Sequence, residues 1–260
     1  GNFSQIGSEE ITNGSFSQEG SELILNGDFA TDTDWTITNL TGGTTNISGG
    51  SLNIITDGAF SSAEQSGILT SGNSYVLTYT ITSNAVVGVL QATIGTATVS
   101  ITIPSTIGTH TVYFKSASGI GLFAFKRGGG ALNVSIDNVS VKEVGQNWSL
   151  GTGWSIGDDK VVYDGLSGTQ QIISGGASVA PQVGKTYKVS FDVLEQGSGA
   201  NSAFFGGVLF SSANLAVGSY VFYVKATSTS RFGIFGRNGS VFSITNISVK
   251  EVGQDWELNG

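Results

Sequence analysis

The 260-residue sequence has no cysteine, no methionine, two prolines and one histidine. Without cysteine there is neither a disulfide framework nor thiol chemistry. His110 alone cannot build a zinc site or a Ser-His-Asp triad. Asp158 and Asp159 are neighbours in a predicted turn, so they cannot face each other across a substrate as glycosidase acids must. We therefore predict a protein that is not an enzyme.

Basic residues are also scarce. Eleven Lys and Arg stand against 19 Asp and Glu, which gives a net charge of −8. Neutralising phosphates requires clustered Lys and Arg, so we expect no nucleic-acid partner. No apolar run approaches the roughly 18 residues of a membrane helix, so we expect no membrane insertion.

Glycine, in contrast, is abundant at 39 residues, and 39% of the chain is hydrophobic. Ser, Thr and Asn crowd the sequence while helix formers are few. Such a composition is typical of many short strands joined by tight turns, and it is too apolar for disorder.

A long internal repeat sets the domain organisation. Residues 135–148 reappear at 243–256 without a gap. A repeat of this length is one small domain copied, which predicts domains at 22–144 and 145–253. Residues 254–260 would then begin a further copy or form a tail, and we expect the sequence to be an excerpt of a longer protein.

A second, shorter repeat precedes these domains. Phe3, Phe16 and Phe29 follow one another at intervals of 13 residues. Each interval contains a short apolar stretch and an Asn-Gly turn, which predicts a short strand segment over residues 1–21. Its strands could pair with each other, with the first domain or with another chain, either as a stalk or in assembly.

Alternation of apolar and polar residues gives the fold class. Tyr75, Leu77, Tyr79 and Ile81 share one face of a predicted strand. A period of two with one apolar face indicates a half-buried antiparallel strand. Seven or eight such strands per copy predict an all-β protein with two tandem antiparallel β-sandwich (jelly-roll) domains, a short N-terminal strand repeat and almost no helix.

Aligning the two copies by their first aromatic residues matches Phe29 with Trp148 and Trp35 with Trp154. Because Trp35 and Trp154 hold the same register in both copies, we predict that they fill the cores and do not bind a ligand.

The frame Asn26-Gly-Asp-Phe29, Trp35 and Ile136-Asp-Asn-Val-Ser-Val141 resembles the carbohydrate-binding modules of the galactose-binding-like jelly-roll family. The tandem copies are also similar to repeats of bacteriophage tail-fibre and other virion surface proteins. The resemblance implies a glycan or cell-surface polysaccharide as partner and an extracellular or virion-surface location. It also implies that the chain can self-associate into an oligomer or fibre.

Three functions fit this resemblance. The first is a surface-exposed, non-catalytic fibre or adhesin module that binds carbohydrate. The second is a purely structural repeat that polymerises and binds no sugar. The third is an accessory binding module of a polysaccharide-degrading enzyme.

The resemblance further implies a structural Ca²⁺ between the opening turn and the closing strand. Asp28 and Asp137 are the residues that would hold it in the first domain. Calcium takes six or more oxygen ligands, and Ala30 here replaces the usual Glu. In the second domain Asn147 and Thr245 replace both acids, so the hypothesis is confined to the first domain.

Sugar binding requires aromatic faces beside polar groups. The penultimate strand of each copy offers aromatic residues next to arginine: Phe123, Phe125, Arg127, Phe232, Phe235 and Arg237. An arginine on a turn could donate bidentate hydrogen bonds to a sugar acid, or it could cap a strand end.

Four loop-like aromatics are further candidates: Phe60, Tyr163, Phe204 and Phe205. If the last two are extended, they must face opposite ways, one into the core and one outward.

Overall fold

The computed structural model describes residues 6–165, 170–174, 180–197, 201–210, 215–237, 239 and 241–253. These residues contain strands and turns and no helix, and every strand pairing among them is antiparallel. The predicted all-β fold class is confirmed. Within the same residues, no helix is long and apolar enough to cross a membrane. The predicted tail over residues 254–260 lies outside the described residues.

The strands are numbered in chain order. The first twelve are β1 (Ile6–Glu9), β2 (Glu19–Glu22), β3 (Thr36–Asn39), β4 (Asn46–Ser48), β5 (Ser51–Thr56), β6 (Ser61–Gln65), β7 (Ser74–Val86), β8 (Val89–Gly95), β9 (Ser100–Thr102), β10 (Gly108–Lys115), β11 (Leu122–Gly129) and β12 (Leu132–Val144). They are followed by β13 (Trp148–Leu150), β14 (Trp154–Gly157), β15 (Lys160–Asp164), β16 (Gln170–Ser174), β17 (Thr186–Gln196), β18 (Ser202–Phe205), β19 (Val208–Leu209), β20 (Gly218–Lys225), β21 (Gly233–Gly236) and β22 (Val241–Val252).

The chain divides into two compact units. The first, Glu19–Val144, is uninterrupted and is called here the continuous unit. The second combines Gly1–Gln18 with Gly145–Gly260 and is called the split unit. The boundary after Val144 agrees with the sequence prediction. The predicted separate segment over residues 1–21 is wrong, because its two halves belong to different units.

The continuous unit stacks two antiparallel sheets. One has the order β10-β7-β12-β5-β4, with β2 added on β12, and the other has the order β3-β6-β11-β8-β9. Tyr75, Leu77, Tyr79 and Ile81 of β7 are all at most 1% exposed, as their alternation predicted. They pack with the inward rows of the five-stranded sheet to form a single core.

The split unit repeats this order strand for strand. Its sheets are β14-β15-β22-β17-β20, with β1 added on β22, and β13-β16-β21-β18-β19. Trp154 is 1% exposed and its ring lies 5.0 Å from that of Tyr163. Trp35 is 7% exposed, so both tryptophans are core residues as predicted.

Each 13-residue repeat supplies the opening segment of a different unit. In the continuous unit β2 pairs with β12, where Glu19 lies opposite Val144. In the split unit β1 pairs with β22, where Ile6 lies opposite Val252. The split unit therefore takes its opening strand from a part of the chain that precedes the whole continuous unit.

A glutamate anchors each opening segment to the closing strand. The carboxylate of Glu22 accepts hydrogen bonds from the amides of Ile24 and Val141, both at 2.9 Å, and from the Ser140 hydroxyl. The Glu9 carboxylate accepts the matching set in the split unit: Ile11 N–H at 3.0 Å, Val249 N–H at 2.8 Å and Ser248 Oγ–H at 2.6 Å. Each carboxylate thus satisfies backbone donors that the strand ladder leaves without a carbonyl partner.

An aromatic pair and a glycine complete the joint in each unit. Trp148 donates its Nε1–H to the carbonyl of Asn13 at 2.9 Å, and its ring lies 5.0 Å from that of Phe16. A Cβ added to Gly14 would lie 1.9 Å from the carbonyl oxygen of Ile247. Only glycine therefore allows this close approach of two backbones.

The continuous unit makes the same contacts with Asn26, Phe29 and Trp35, at an Nε1-to-carbonyl distance of 3.2 Å and a ring separation of 5.4 Å. Trp148 is therefore the counterpart of Trp35, and Phe16 is the counterpart of Phe29. The alignments of Phe29 with Trp148 and of Trp35 with Trp154 were wrong, because the true counterpart of Phe29 lies upstream of the continuous unit.

We expect Glu9→Ala to lower the free energy of unfolding of the split unit by about 1–3 kcal/mol, because charge-assisted hydrogen bonds to two amides and a hydroxyl are lost. Glu9→Gln keeps an oxygen that can accept from both amides and should cost less than half as much. The measurement is chemical denaturation followed by tryptophan fluorescence. Glu19→Ala is the control, because it removes only an exposed ion pair with Lys142, worth about 1 kcal/mol or less. Equal losses for Glu9→Ala and Glu19→Ala would contradict the anchor.

Glu10 makes the split unit sensitive to pH. Partial burial, and then the charges of Glu251 and Glu9, raise the pKa of Glu10 above its usual 4.5. Because the pKa of Glu10 is higher in the folded state than in the unfolded state, its ionised carboxylate destabilises the fold above the folded-state pKa. This penalty is lost as the pH falls from the folded-state pKa to below the unfolded-state pKa.

Glu10→Gln should therefore raise the melting temperature at neutral pH, and this gain should vanish near about pH 3, where wild-type Glu10 is protonated in both states. Differential scanning calorimetry at the two pH values measures it. A gain of the same size at both would show that charge is not the cause.

Candidate functional site

The outward face of each five-stranded sheet is a regular surface on which to look for a binding site. In the continuous unit the inward rows of this sheet lie in the core. Because side chains alternate along a strand, the residues between them face away from the core.

Two polar rows cross this face of the continuous unit. The strand register places Thr36, Glu64, Ala124, Thr93 and Ser100 in one row. The other row contains Thr38, Ser62, Lys126, Gln91 and Thr102. Five strands about 4.8 Å apart make each row roughly 19 Å long. Sequence reasoning missed these rows, although alternation around the buried Ala63, Ala92 and Phe125 could have revealed them.

The same face of the split unit is aromatic. Gly233, Phe204 and Leu209 form one row, and Phe235 lies opposite Ser202 in the next. By register, Phe204 stands where the continuous unit has Thr93, and Phe235 stands where it has Lys126. The two units thus share a fold but differ in the chemistry of this face.

Phe204 and Phe235 form a stacked pair, with centroids 5.0 Å apart and planes 29° apart. Both are half-buried. A Cβ on Gly233 would meet Cζ of the Phe204 ring at 2.3 Å, so the ring covers this glycine. Phe205 is 2% exposed and points into the core, which confirms the prediction that these two neighbours face opposite ways.

Arg237 directly follows β21 and is exposed. It comes two residues after Phe235 and extends the same alternating row beyond the strand end. The predicted combination of an aromatic ring with a guanidinium is therefore available at Phe235 and Arg237.

The other four predicted sugar-binding residues are not available on this face. Phe123, Phe125 and Phe232 are 0% exposed and pack within the cores. Arg127 is half-buried and lies opposite the buried Leu90, and its Nε is buried without a hydrogen-bond partner in the described part of the chain. The assignment of these four residues as sugar contacts is therefore corrected.

A one-residue slip explains the error. Phe125 and Phe235 look equivalent in the sequence, because each comes two residues before an arginine. The strand register instead matches Phe125 with Ile234. Phe125 lies opposite Ala63, and Ile234 lies opposite Ile172, which is the counterpart of Ala63. A shift of one residue exchanges the two faces of a strand.

Of the other candidate aromatics, Phe60 is 37% exposed just before β6, whereas Tyr163 is fully buried.

The split unit shows what surrounds the predicted calcium position. Thr245 is the counterpart of Asp137, and its Oγ1 lies 2.6 Å from the carbonyl oxygen of Asp159 and 3.3 Å from that of Ser15. The register places Gly50 and Asp28 of the continuous unit where Asp159 and Ser15 stand. The true counterpart of Asp28 is thus Ser15, not Asn147.

A carboxylate at this position has no proton to donate to a carbonyl oxygen, whereas the threonine hydroxyl donates one. A cation would satisfy all three groups, and oxygen donors suit Ca²⁺. Asp137 and the carbonyls of Asp28 and Gly50 would hold it. Each carboxylate also accepts one backbone N–H, Asp137 from Asn138 at 2.7 Å and Asp28 from Ala30 at 3.3 Å. The described residues contain no group of three or more His, Cys, Asp or Glu suited to a metal, so water would have to complete the shell.

The residues weighed for catalysis are engaged locally. Nε2 of His110 forms a hydrogen bond with the carbonyl oxygen of Thr106 at 2.6 Å, and its ring lies 5.3 Å from that of Tyr79. Asp158 and Asp159 occupy the β14–β15 turn with φ near 54° and 55°. That the chain is not an enzyme stays a prediction.

No protein-family model matches the chain, and the comparison with curated proteins found no match. Among solved structures, this chain is similar to the CBM22-1-CBM22-2 tandem domain of Paenibacillus barcinonensis Xyn10C. The sequence identity is 11% over 90% of this chain and 99% of that one, and the TM-score is 0.37. A CBM4 structure is similar at 18% identity over 51% and 99%, with a TM-score of 0.32.

The enzymatically active domain of bacteriophage CBA120 tailspike protein 4 is similar at 16% identity over 52% of this chain and 21% of that one, with a TM-score of 0.33. At these identities the similarity extends to the fold and no further.

For calcium, we predict that Asp137→Thr removes any effect of Ca²⁺ on the melting of the continuous unit, because the new hydroxyl can donate as Thr245 does. Calorimetric titration and melting in Ca²⁺ or EDTA measure it. The reciprocal Thr245→Asp tests whether the split unit gains a response. If wild type shows neither heat nor an EDTA-sensitive melting shift, the calcium prediction is wrong.

Proposed function

We propose that this chain is a non-catalytic carbohydrate-binding protein, and that the outward face of the five-stranded sheet of the split unit is its glycan site. The stacked, half-exposed pair Phe204–Phe235 carries the proposal. Partly exposed aromatic rings on a sheet suit the apolar face of a pyranose ring.

The surroundings of the pair supply both packing and polarity. Leu209, which is 49% exposed, lies opposite Phe204 and extends the apolar platform. Ser202 lies beside Phe235 but is fully buried, so the polarity comes from the exposed guanidinium of Arg237. A planar guanidinium donates in pairs to carboxylate or sulfate oxygens, so an acidic sugar next to the platform is the preferred ligand class.

The continuous unit suits glycans less well. Its corresponding face carries Thr93 and Lys126 in place of the two phenylalanines, and the exposed Phe60 directly precedes β6. Thr93 is only 2% exposed, and Lys126 can hydrogen-bond hydroxyls but offers no ring to stack on. We therefore assign the stronger binding to the split unit.

The setting that we propose is a surface-exposed fibre or adhesin module, extracellular or on a virion. Support comes from the tandem sandwich organisation and from the sequence frame shared with carbohydrate-binding modules and virion surface repeats. The structural-repeat alternative predicts no glycan binding. The enzyme-accessory alternative predicts binding as well and is tested by the gene sequence that flanks this chain.

We expect Phe235→Ala to weaken glycan binding by about tenfold or more, because one stacking face contributes about 1–2 kcal/mol. Full-length chain is screened on an array of neutral and acidic glycans, and hits are titrated by calorimetry. Lys126→Ala, the same position in the continuous unit, is the matched control and should leave affinity unchanged.

Arg237→Ala separates the charge contribution, since it should weaken acidic glycans and spare neutral ones. Because Phe235 and Arg237 are outside the core, unfolding curves should stay close to wild type. Silence of the wild-type chain across the array would overturn the glycan proposal and favour a purely structural repeat.

A further inference from the structure

The opening segments of the two units are interchangeable in the contacts they make. We define them as residues 6–18 and residues 19–31. In the split unit Glu10 N–H donates to Val249 at 2.9 Å and Ile247 N–H donates to Gly14 at 2.9 Å. The matching bonds of the continuous unit, Leu23 to Val141 and Val139 to Gly27, measure 3.0 and 2.8 Å. The glutamate anchor and the tryptophan bond are duplicated as well.

The rest of the split unit, called here its body, is incomplete without residues 6–18. Phe16 is 1% exposed and covers Trp148, and Ile11 is 7% exposed. Removing the segment would uncover these apolar faces and leave the amides of Ile247 and Val249 without their acceptors. Buried donors without partners and bare aromatic surface are both costly, so the body needs an occupant for this groove.

The covalent connection differs sharply between the two units. Phe29 precedes Trp35 by six residues, so segment 19–31 is tied closely to its own sandwich. Phe16 is separated from Trp148 by the whole continuous unit. Nothing in the contacts of residues 6–18 requires that they come from the same molecule as the body.

We propose that the split unit accepts the opening segment of a second copy of this chain, so that copies are joined by strand exchange. Exchange of an identical element is a low-cost route to association because every contact is kept. The choice between the chain's own segment and another copy's is set by concentration: the pairing of Glu19 with Val144 brings the chain's own segment to the start of the body, so exchange requires many copies folding together. Donation in one direction along successive molecules would give a linear assembly. The inference goes beyond the glycan proposal and does not depend on it.

The natural lack of cysteine makes the test direct. One chain carries Ile6→Cys and another carries Val252→Cys, two positions that face each other across β1 and β22. The chains are unfolded together, refolded at high protein concentration and oxidised. A disulfide-linked heterodimer on a non-reducing gel is expected, because the two cysteines meet only when one copy's segment lies on the other copy's body.

The continuous unit supplies a matched control. Glu19→Cys and Val144→Cys occupy the corresponding positions on β2 and β12. Because segment 19–31 is tied to its own sandwich, this pair should give at least about tenfold less heterodimer. A single chain carrying both Ile6→Cys and Val252→Cys shows that the disulfide can form.

Blocking the groove gives a second readout. A Cβ at residue 14 collides with Ile247 whichever copy donates the segment, so adding Gly14→Ala to the Ile6→Cys chain should remove the heterodimer. A synthetic peptide of residues 6–18 should compete with it in proportion to concentration. If the double-cysteine chain closes on itself but the mixed chains never cross-link, or if the control pair cross-links equally well, the proposal is wrong.

Discussion

Both sandwiches depend on the docking of an opening segment against a bulged closing strand. Asn138 and Asn246 adopt left-handed φ values of 51° and 54° inside β12 and β22, and the ladder with the neighbouring strand shifts register there. A bulge leaves backbone donors without ladder partners. A glycine carbonyl and a glutamate carboxylate from the opening segment accept those hydrogen bonds. The sequence repeat therefore preserves the residues that this joint requires.

Alternation along strands predicted the fold well and the candidate site only in part. The buried face of β7 and the opposite directions of Phe204 and Phe205 both follow from a period of two. The prediction of the site residues was wrong where two short strands were aligned by residue type, because a slip of one residue exchanges the buried and the outward face of a strand. The polar sequence between Phe125 and the closing strand gave no signal to fix that register.

The N-terminal repeat was misassigned for a different reason. The local sequence pattern predicted two strands. It could not predict which unit each strand completes, because that depends on long-range strand pairing, which neither composition nor periodicity reveals. Phe16 and Trp148 form one contact although they are more than a hundred residues apart. The two units also show that duplication preserves the joint while the outward face changes: Thr93 and Lys126 in one stand where Phe204 and Phe235 stand in the other.

The pairing of β1 with β22 has a consequence for biosynthesis. All strands of the continuous unit have been translated once Val144 leaves the ribosome, so this unit can fold early. Ile6 must wait for Val252, which at 5–20 residues per second is a delay of roughly 10 s or more. During that interval the nascent chain presents an unsatisfied strand edge to its neighbours on the same messenger RNA. In the strand exchange proposed above, nascent chains on one polysome are thus the first copies that can donate to one another.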